Sequence, residues 1–238
     1  MRLIKNLMLA GALASLVTVA GIGGAYAQIG PCPTEAMSNY VVTGFMCTIG
    51  DKTFSDFSYT PAMLGTGSAS PATGVSVMPL GAPNYGFRFT GIWNSGSNGT
   101  GDAGIGYIVA VTNGQPLIDS AFLSMTGSLT TGGGAAGTVG ETLCEGGDGM
   151  VCPNSDLLNV SLAGPVSQLV KPLSGGNVSI VGVSKDIDAT SDGTGGTASI
   201  SVVQNTVDQV TVPEPASLAL IGSALVGFGA FRRRRKAV

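Results

Sequence analysis

The chain contains no histidine, so the side chains left for acid–base chemistry are carboxylates, and an imidazole-based triad or a His-ligated zinc or haem site is excluded by counting. Asp119, Glu141, Glu145, Asp148 and Asp156 lie close enough in sequence to be considered as pairs. Hydrolysis of a glycosidic bond needs two carboxyl groups about 5 to 9.5 Å apart in opposite protonation states. Aromatic residues make up only 6% of the chain, which leaves few rings for a sugar to stack on, so these acids read as surface charge and no catalytic residue is assigned. Ser184 and Lys185 are neighbours in sequence and, on a strand, point to opposite faces, so they make no Ser–Lys dyad by themselves. Asp186-x-Asp188 opens with the spacing of an oxygen-ligand calcium loop, and Asp192-Gly193 follows. The third ligand position is missing, and Asp and Gly are ordinary turn residues, so neither a metal nor a cofactor is assigned.

Four cysteines, Cys32, Cys47, Cys144 and Cys152, are an even set without a C-x-x-C spacing. In an exported chain they read as two disulfides rather than a zinc site, with three pairings open in principle. Local pairing is favoured: Cys32 with Cys47 fastens the segment after residue 28, and Cys144 with Cys152 closes the acidic loop between them. Each is worth roughly 2 to 4 kcal/mol.

The elements that must carry these residues are strands. Tyr85, Phe87 and Phe89 alternate with Gly86 and Arg88; Ile105, Tyr107, Val109 and Val111 share a parity; so do Ala198, Ile200 and Val202. Period two places each set on one face of a strand. Further short apolar runs at 75–78, 122–125, 157–162, 178–183 and 207–212 are separated by glycine clusters at 65–67, 94–101, 132–134, 175–176 and 193–196. With 38 glycines and only 11% charged residues, the pattern predicts an all-β, antiparallel β-sandwich of about eight to ten strands, with Trp93 packing on its core. No fixed-period repeat is present, which argues against a propeller or solenoid, and no Thr-x-Thr ladder suggests an ice-binding face.

The two ends read differently. Residues 1–27 begin with Arg2 and Lys5, run through apolar residues to Val19 and close on Ala25-Tyr26-Ala27, the pattern of a signal peptide cleaved before Gln28. At the other end Val212-Pro213-Glu214-Pro215 precedes sixteen small or apolar residues, Ala216 to Phe231, and then Arg232, Arg233, Arg234, Arg235 and Lys236. As a helix that run spans about 24 Å, slightly less than a ~30 Å hydrocarbon core. The prolines mark its start, and the cations hold the C-terminus in the cytoplasm. Between the ends, residues 28–212 carry Lys52, Arg88, Lys171 and Lys185 against thirteen acids, an acidic balance that suits neither nucleic acid nor anionic lipid.

Pro213-Glu214-Pro215, the short apolar helix and the terminal arginines resemble the PEP-CTERM sorting signal of exported bacterial proteins. The resemblance implies an exosortase, a membrane transpeptidase-like protease, as partner of Pro213, Glu214, Pro215 and Arg232 to Arg235, and co-occurrence with extracellular polysaccharide. Cys47 to Tyr59 is similar to an N-terminal segment of many PEP-CTERM ectodomains. Its residues read as a hairpin with Gly50-Asp51 at the turn, Phe54 and Phe57 in the core and Tyr59 at the edge. The expected organisation is thus a signal peptide helix (1–27), an exported sandwich (28–212) and a sorting signal with a short transmembrane helix (213–238). The ectodomain faces outward from the cytoplasmic membrane and passes to the cell surface or matrix after processing. The expected function is that of a non-catalytic surface or matrix protein; a module binding surface exopolysaccharide is the first alternative and a carboxylate glycoside hydrolase the second.

Overall fold

The computed structural model describes residues 29–112, 116–130, 133–147, 152–163 and 168–209. The signal peptide, Asp148, the last three residues of the 207–212 run and the whole sorting signal lie outside them. No helix among the described residues is long and apolar enough to cross a membrane.

The strands, in chain order, are β1 (Glu35–Ala36), β2 (Met46–Ile49), β3 (Lys52–Gly65), β4 (Ser68–Ala69), β5 (Ser76–Leu80), β6 (Tyr85–Asn94), β7 (Gly99–Val111), β8 (Ile118–Thr130), β9 (Ala135–Glu145), β10 (Asn154–Ser161), β11 (Gln168–Pro172), β12 (Ile180–Ser191) and β13 (Thr197–Gln209); one short helix, α1, covers Met37–Tyr40. They form two antiparallel sheets, one ordered β1-β5-β6-β13-β8-β11 with β4 also on β6, the other β10-β9-β12-β7-β3-β2. The all-β sandwich is as expected. Thirteen strands among the described residues exceed the predicted eight to ten, and two of them, β1 and β4, are two-residue pairings that no period-two pattern can signal.

Alternation decides what the sheets bury. Phe87, Phe89 and Trp93 of β6, and Ile105, Tyr107 and Val109 of β7, all point between the layers. Phe87 touches the rings of Tyr40, Phe54, Phe57, Phe89 and Tyr107, so the aromatic residues are spent on the core. The Trp93 indole donates to the Tyr59 hydroxyl at 3.2 Å, which donates to the Ser70 carbonyl at 2.5 Å. Tyr59, on the part of β3 beyond β2, is at the edge as expected and is half-buried there by these bonds.

Two irregularities reset the parity. Gly50-Asp51 turns β2 into β3 with Ile49 opposite Lys52, and Gly50 takes φ +61° where an added Cβ would meet the Tyr85 ring at 2.5 Å. Farther along β3, Ser55 pairs with Ile108 and Ser58 with Gly106, so one extra residue is inserted and Asp56 sits at φ +54°. This bulge is what lets Phe54 and Phe57, three apart, both face inward. A second register shift, between Ile200 and Val202 of β13, separates the predicted set: Ala198 and Ile200 are buried, Val202 is only partly so, and Val203, Asn205 and Val207 take over the inward positions. The glycines at 99–101 are strand rather than turn, which confines the β6–β7 connection to 95–98.

Both favoured disulfides are present, Cys32–Cys47 and Cys144–Cys152. The first ties the entering chain to β2, where the Cys32 amide also donates to the Thr48 carbonyl at 2.9 Å.

Candidate functional site

The candidate carboxylates separate into unrelated places. Glu141 occupies an inward position of β9 between Val139 and Leu143 and is opposite Lys185 of β12 in the ladder. Their side chains form an ion pair with no solvent exposure on either partner. Glu141 Oε1 accepts a hydrogen bond from Asn205 Nδ2 of the opposing sheet at 2.9 Å, the same nitrogen donates to the Phe122 carbonyl at 2.9 Å, and the Tyr107 hydroxyl donates to Asn205 Oδ1. Lys185 Nζ stands 5.2 Å from the centre of the Tyr107 ring. Burial pulls the Lys185 ammonium below its usual range and pushes the Glu141 carboxyl up, and the pair's mutual attraction offsets only part of each shift. Sequence reading treated Glu141 as surface charge and Lys185 by its neighbour Ser184. The signal that placed both inside was their parity with Val139 and Leu143, and with Val181, Val183 and Ile187. Ser184 is exposed on the other face, as alternation requires.

Glu145 and Asp156 are brought together, but around backbone. Glu145 accepts from the amides of Ser174 at 3.0 Å and Gly175 at 2.5 Å, Asp156 accepts from the Ser174 amide at 2.7 Å, and Lys171 pairs with Asp156 at 2.6 Å. Burial raises Glu145 toward its protonated form, and the Asp156 carboxyl beside it adds to that. Burial also opposes the charge on Asp156, yet hydrogen bonds from Glu145, Lys171 and Ser174 outweigh it and hold that carboxyl below the usual range. The pair fastens the 173–176 turn. Asp119 lies apart, its carboxylate accepting from Ser120 at 3.1 Å. Asp192 caps its own turn through the Thr194 amide at 3.0 Å and hydroxyl at 2.6 Å, so it does not join Asp186 and Asp188. The residue that does is Asp102, opposite Asp188 across β7 and β12. No cluster of potential metal ligands is found among the described residues.

That trio stands on the outer face of the six-stranded sheet, whose composition is unusual throughout. Following the ladders across β10, β9, β12, β7 and β3 gives rows Leu157, Thr142, Ser184, Gly106, Ser58; then Asn159, Gly140, Asp186, Gly104, Thr60; then Ser161, Thr138, Asp188, Asp102, Ala62. Hydroxyls, glycines and carboxylates dominate, and the aromatic rings are on the other side of the sheet. Asp186 is exposed and flanked by Gly140, around whose Cβ position nothing lies within 4 Å, and by Gly104, whose nearest neighbour is 3.9 Å away. Beside it a shallow groove of about 440 Å³ has Gly106 in its floor, with Thr142, Ser184 and Ser58 along it and Asp56 and the Cys144–Cys152 disulfide at its sides. Burial, then the charges of Asp186 and Asp188, raise the Asp102 carboxyl; burial, then Asp186, raise that of Asp188. The face therefore combines neutral hydroxyl donors with carboxylate acceptors on a floor without bulk.

Residues 211–235 match the model of the PEP-CTERM protein-sorting motif. The chain carries a PEP-CTERM sorting motif. The motif marks it as exported and sorted by an exosortase. Comparison with curated proteins gave no match. Among solved structures the chain is similar to TmCBM61, in complex with β-1,4-galactotriose, at 8% identity and TM-score 0.33 over 63% of this chain and 88% of that one. It is also similar to the enzymatically active domain of bacteriophage CBA120 tailspike protein 4, at 14% identity and TM-score 0.30 over 63% of this chain and 19% of that one. A third similarity is to the family 11 carbohydrate-binding module from Clostridium thermocellum, in complex with a β-1,3-1,4-mixed-linked tetrasaccharide, at 9% identity and TM-score 0.25 over 63% and 88%.

Proposed function

We propose that the chain is a non-catalytic module of the cell surface or extracellular matrix, and that the outer face of its six-stranded sheet lies against hydroxyl-rich surface polysaccharide. In this reading residues 1–27 direct export, the segment 216–231 holds the precursor in the cytoplasmic membrane with the ectodomain outside, and an exosortase acts at the Pro213-Glu214-Pro215 signal. The observation that carries the ligand is the outer face itself: three rows, dominated by hydroxyl, carboxylate and glycine positions, running across five strands. Carboxylates accept from sugar hydroxyls and Ser and Thr both donate and accept, so a polymer of alternating donors and acceptors is the complementary partner. Such contacts, made without ring stacking, predict weak binding per site. Avidity then comes from many copies on one matrix.

A carboxylate hydrolase finds less support. Glu141 is sealed in the core, and Glu145 and Asp156 are occupied by the Ser174 and Gly175 amides.

The test is retention of the oxidised full-length chain, in detergent, on immobilised surface polysaccharide. Gly140→Arg fills the space beside Asp186 without touching the core, and is expected to weaken retention at least about tenfold, equivalent to 1.4 kcal/mol. Undiminished retention by this variant, or none by the native chain, overturns the reading.

A further inference from the structure

The polar group inside the core has no part in binding at the outer face. It consists of an amine and a primary amide bridged by one carboxyl: Lys185 on β12 and Asn205 on β13 each contact a different oxygen of Glu141 on β9, and the Tyr107 hydroxyl lies on the amide oxygen. All four are buried, and the amine and the amide belong to opposite sheets. We infer that Lys185 and Asn205 condense into an intramolecular isopeptide bond between Lys185 Nζ and Asn205 Cγ, releasing ammonia and joining the two sheets covalently.

An amine and an amide do not react in water because the amine is protonated, the carbonyl is a weak electrophile and the leaving nitrogen needs a proton. The structure answers each obstacle with a placed group. Glu141 Oε2 lies against Lys185 Nζ, so the ammonium proton passes to the carboxylate and leaves a neutral nucleophile. Burial favours that neutral pair by lowering the lysine and raising the glutamate. The Tyr107 hydroxyl donates to Asn205 Oδ1 and stabilises the oxyanion that forms on it, in a site sealed from water. Glu141 Oε1 is 2.9 Å from Asn205 Nδ2, so the same carboxyl that takes protons from the attacking nitrogen delivers one to the departing one.

The step balances without any further reactant. The Nζ–Cγ bond forms and the Cγ–Nδ2 bond breaks. Of the three ammonium protons of Lys185, one stays on the new amide nitrogen, one goes through Glu141 to the leaving amide nitrogen to make ammonia, and one remains on Glu141. The charged pair becomes a neutral amide beside a neutral acid, which removes the desolvation cost of keeping an ammonium and a carboxylate in the core.

Peptide mapping of the folded, oxidised full-length chain, after reduction, alkylation and digestion, tests this directly. The expected result is one branched peptide joining Lys185 to Asn205, lighter by one ammonia than the two peptides together. Recovery of both peptides unlinked from folded protein with its two disulfides intact overturns the proposal, whatever any variant does. Glu141→Gln retains a hydrogen-bonding side chain and removes the proton carrier, so its folded form is expected to yield the unlinked peptides. A linked product from that variant overturns the role given to Glu141.

Discussion

Glu141→Leu is expected to lower the unfolding free energy by about 3–5 kcal/mol, because it strands the Lys185 ammonium in the core without its counter-charge. Asn205 loses an acceptor as well, although its bonds to the Phe122 carbonyl and the Tyr107 hydroxyl remain. Urea unfolding followed by circular dichroism reads the effect, and adding Lys185→Met shows what it contains. An interior ion pair replaced by apolar side chains of similar volume is commonly neutral or stabilising, so a plain ion pair returns the double variant to native stability. A covalent tie between residues 185 and 205 closes a loop whose cross-link is worth roughly 3 kcal/mol in the chain-entropy picture. The double variant is then expected to unfold well before the native chain. Full recovery of native stability counts against the tie.

The parts of the fold legible in the sequence are those decided by near neighbours. The Gly50-Asp51 hairpin, the Tyr85 strand and the two disulfides span short separations, and their chemistry is written in adjacent residues. What escaped depends on partners far along the chain. The extra residue at Asp56 appears only when β3 is aligned with β7, and the shift after Ile200 only when β13 is aligned with β6 and β8. The same is true of the outer face. Asp186 and Asp188 were visible as a pair, but their companion is Asp102 across a ladder, not Asp192 in the following turn. Glu141 was misjudged for another reason: its parity pointed inward while its charge suggested a surface, and parity prevailed because Lys185 supplies its counter-charge in the core.

Export places a final demand on β13, the strand nearest the sorting motif. It lies between β6 and β8, in the interior of its sheet, with Val203 and Val207 buried, and its last described residue, Gln209, donates to Asp51 at 2.6 Å and to the Pro116 carbonyl at 3.2 Å. Removing chain upstream of Gln209 would withdraw a central strand and expose both sheets' inner faces. Cleavage at the motif, beyond Gln209, leaves every described strand paired. In an exosortase-containing host the mature protein is therefore expected to end after Gln209 and to lack Arg232 to Arg235. Glu214→Ala should leave membrane insertion intact and let a full-length precursor accumulate. Replacing Arg232 through Arg235 by Ser should weaken the cationic stop behind a marginally long apolar segment and release unprocessed ectodomain. Membrane fractionation with mass measurement of the C-terminus separates the two outcomes, and a mature envelope protein still ending at Val238 would show that the tail is a plain anchor.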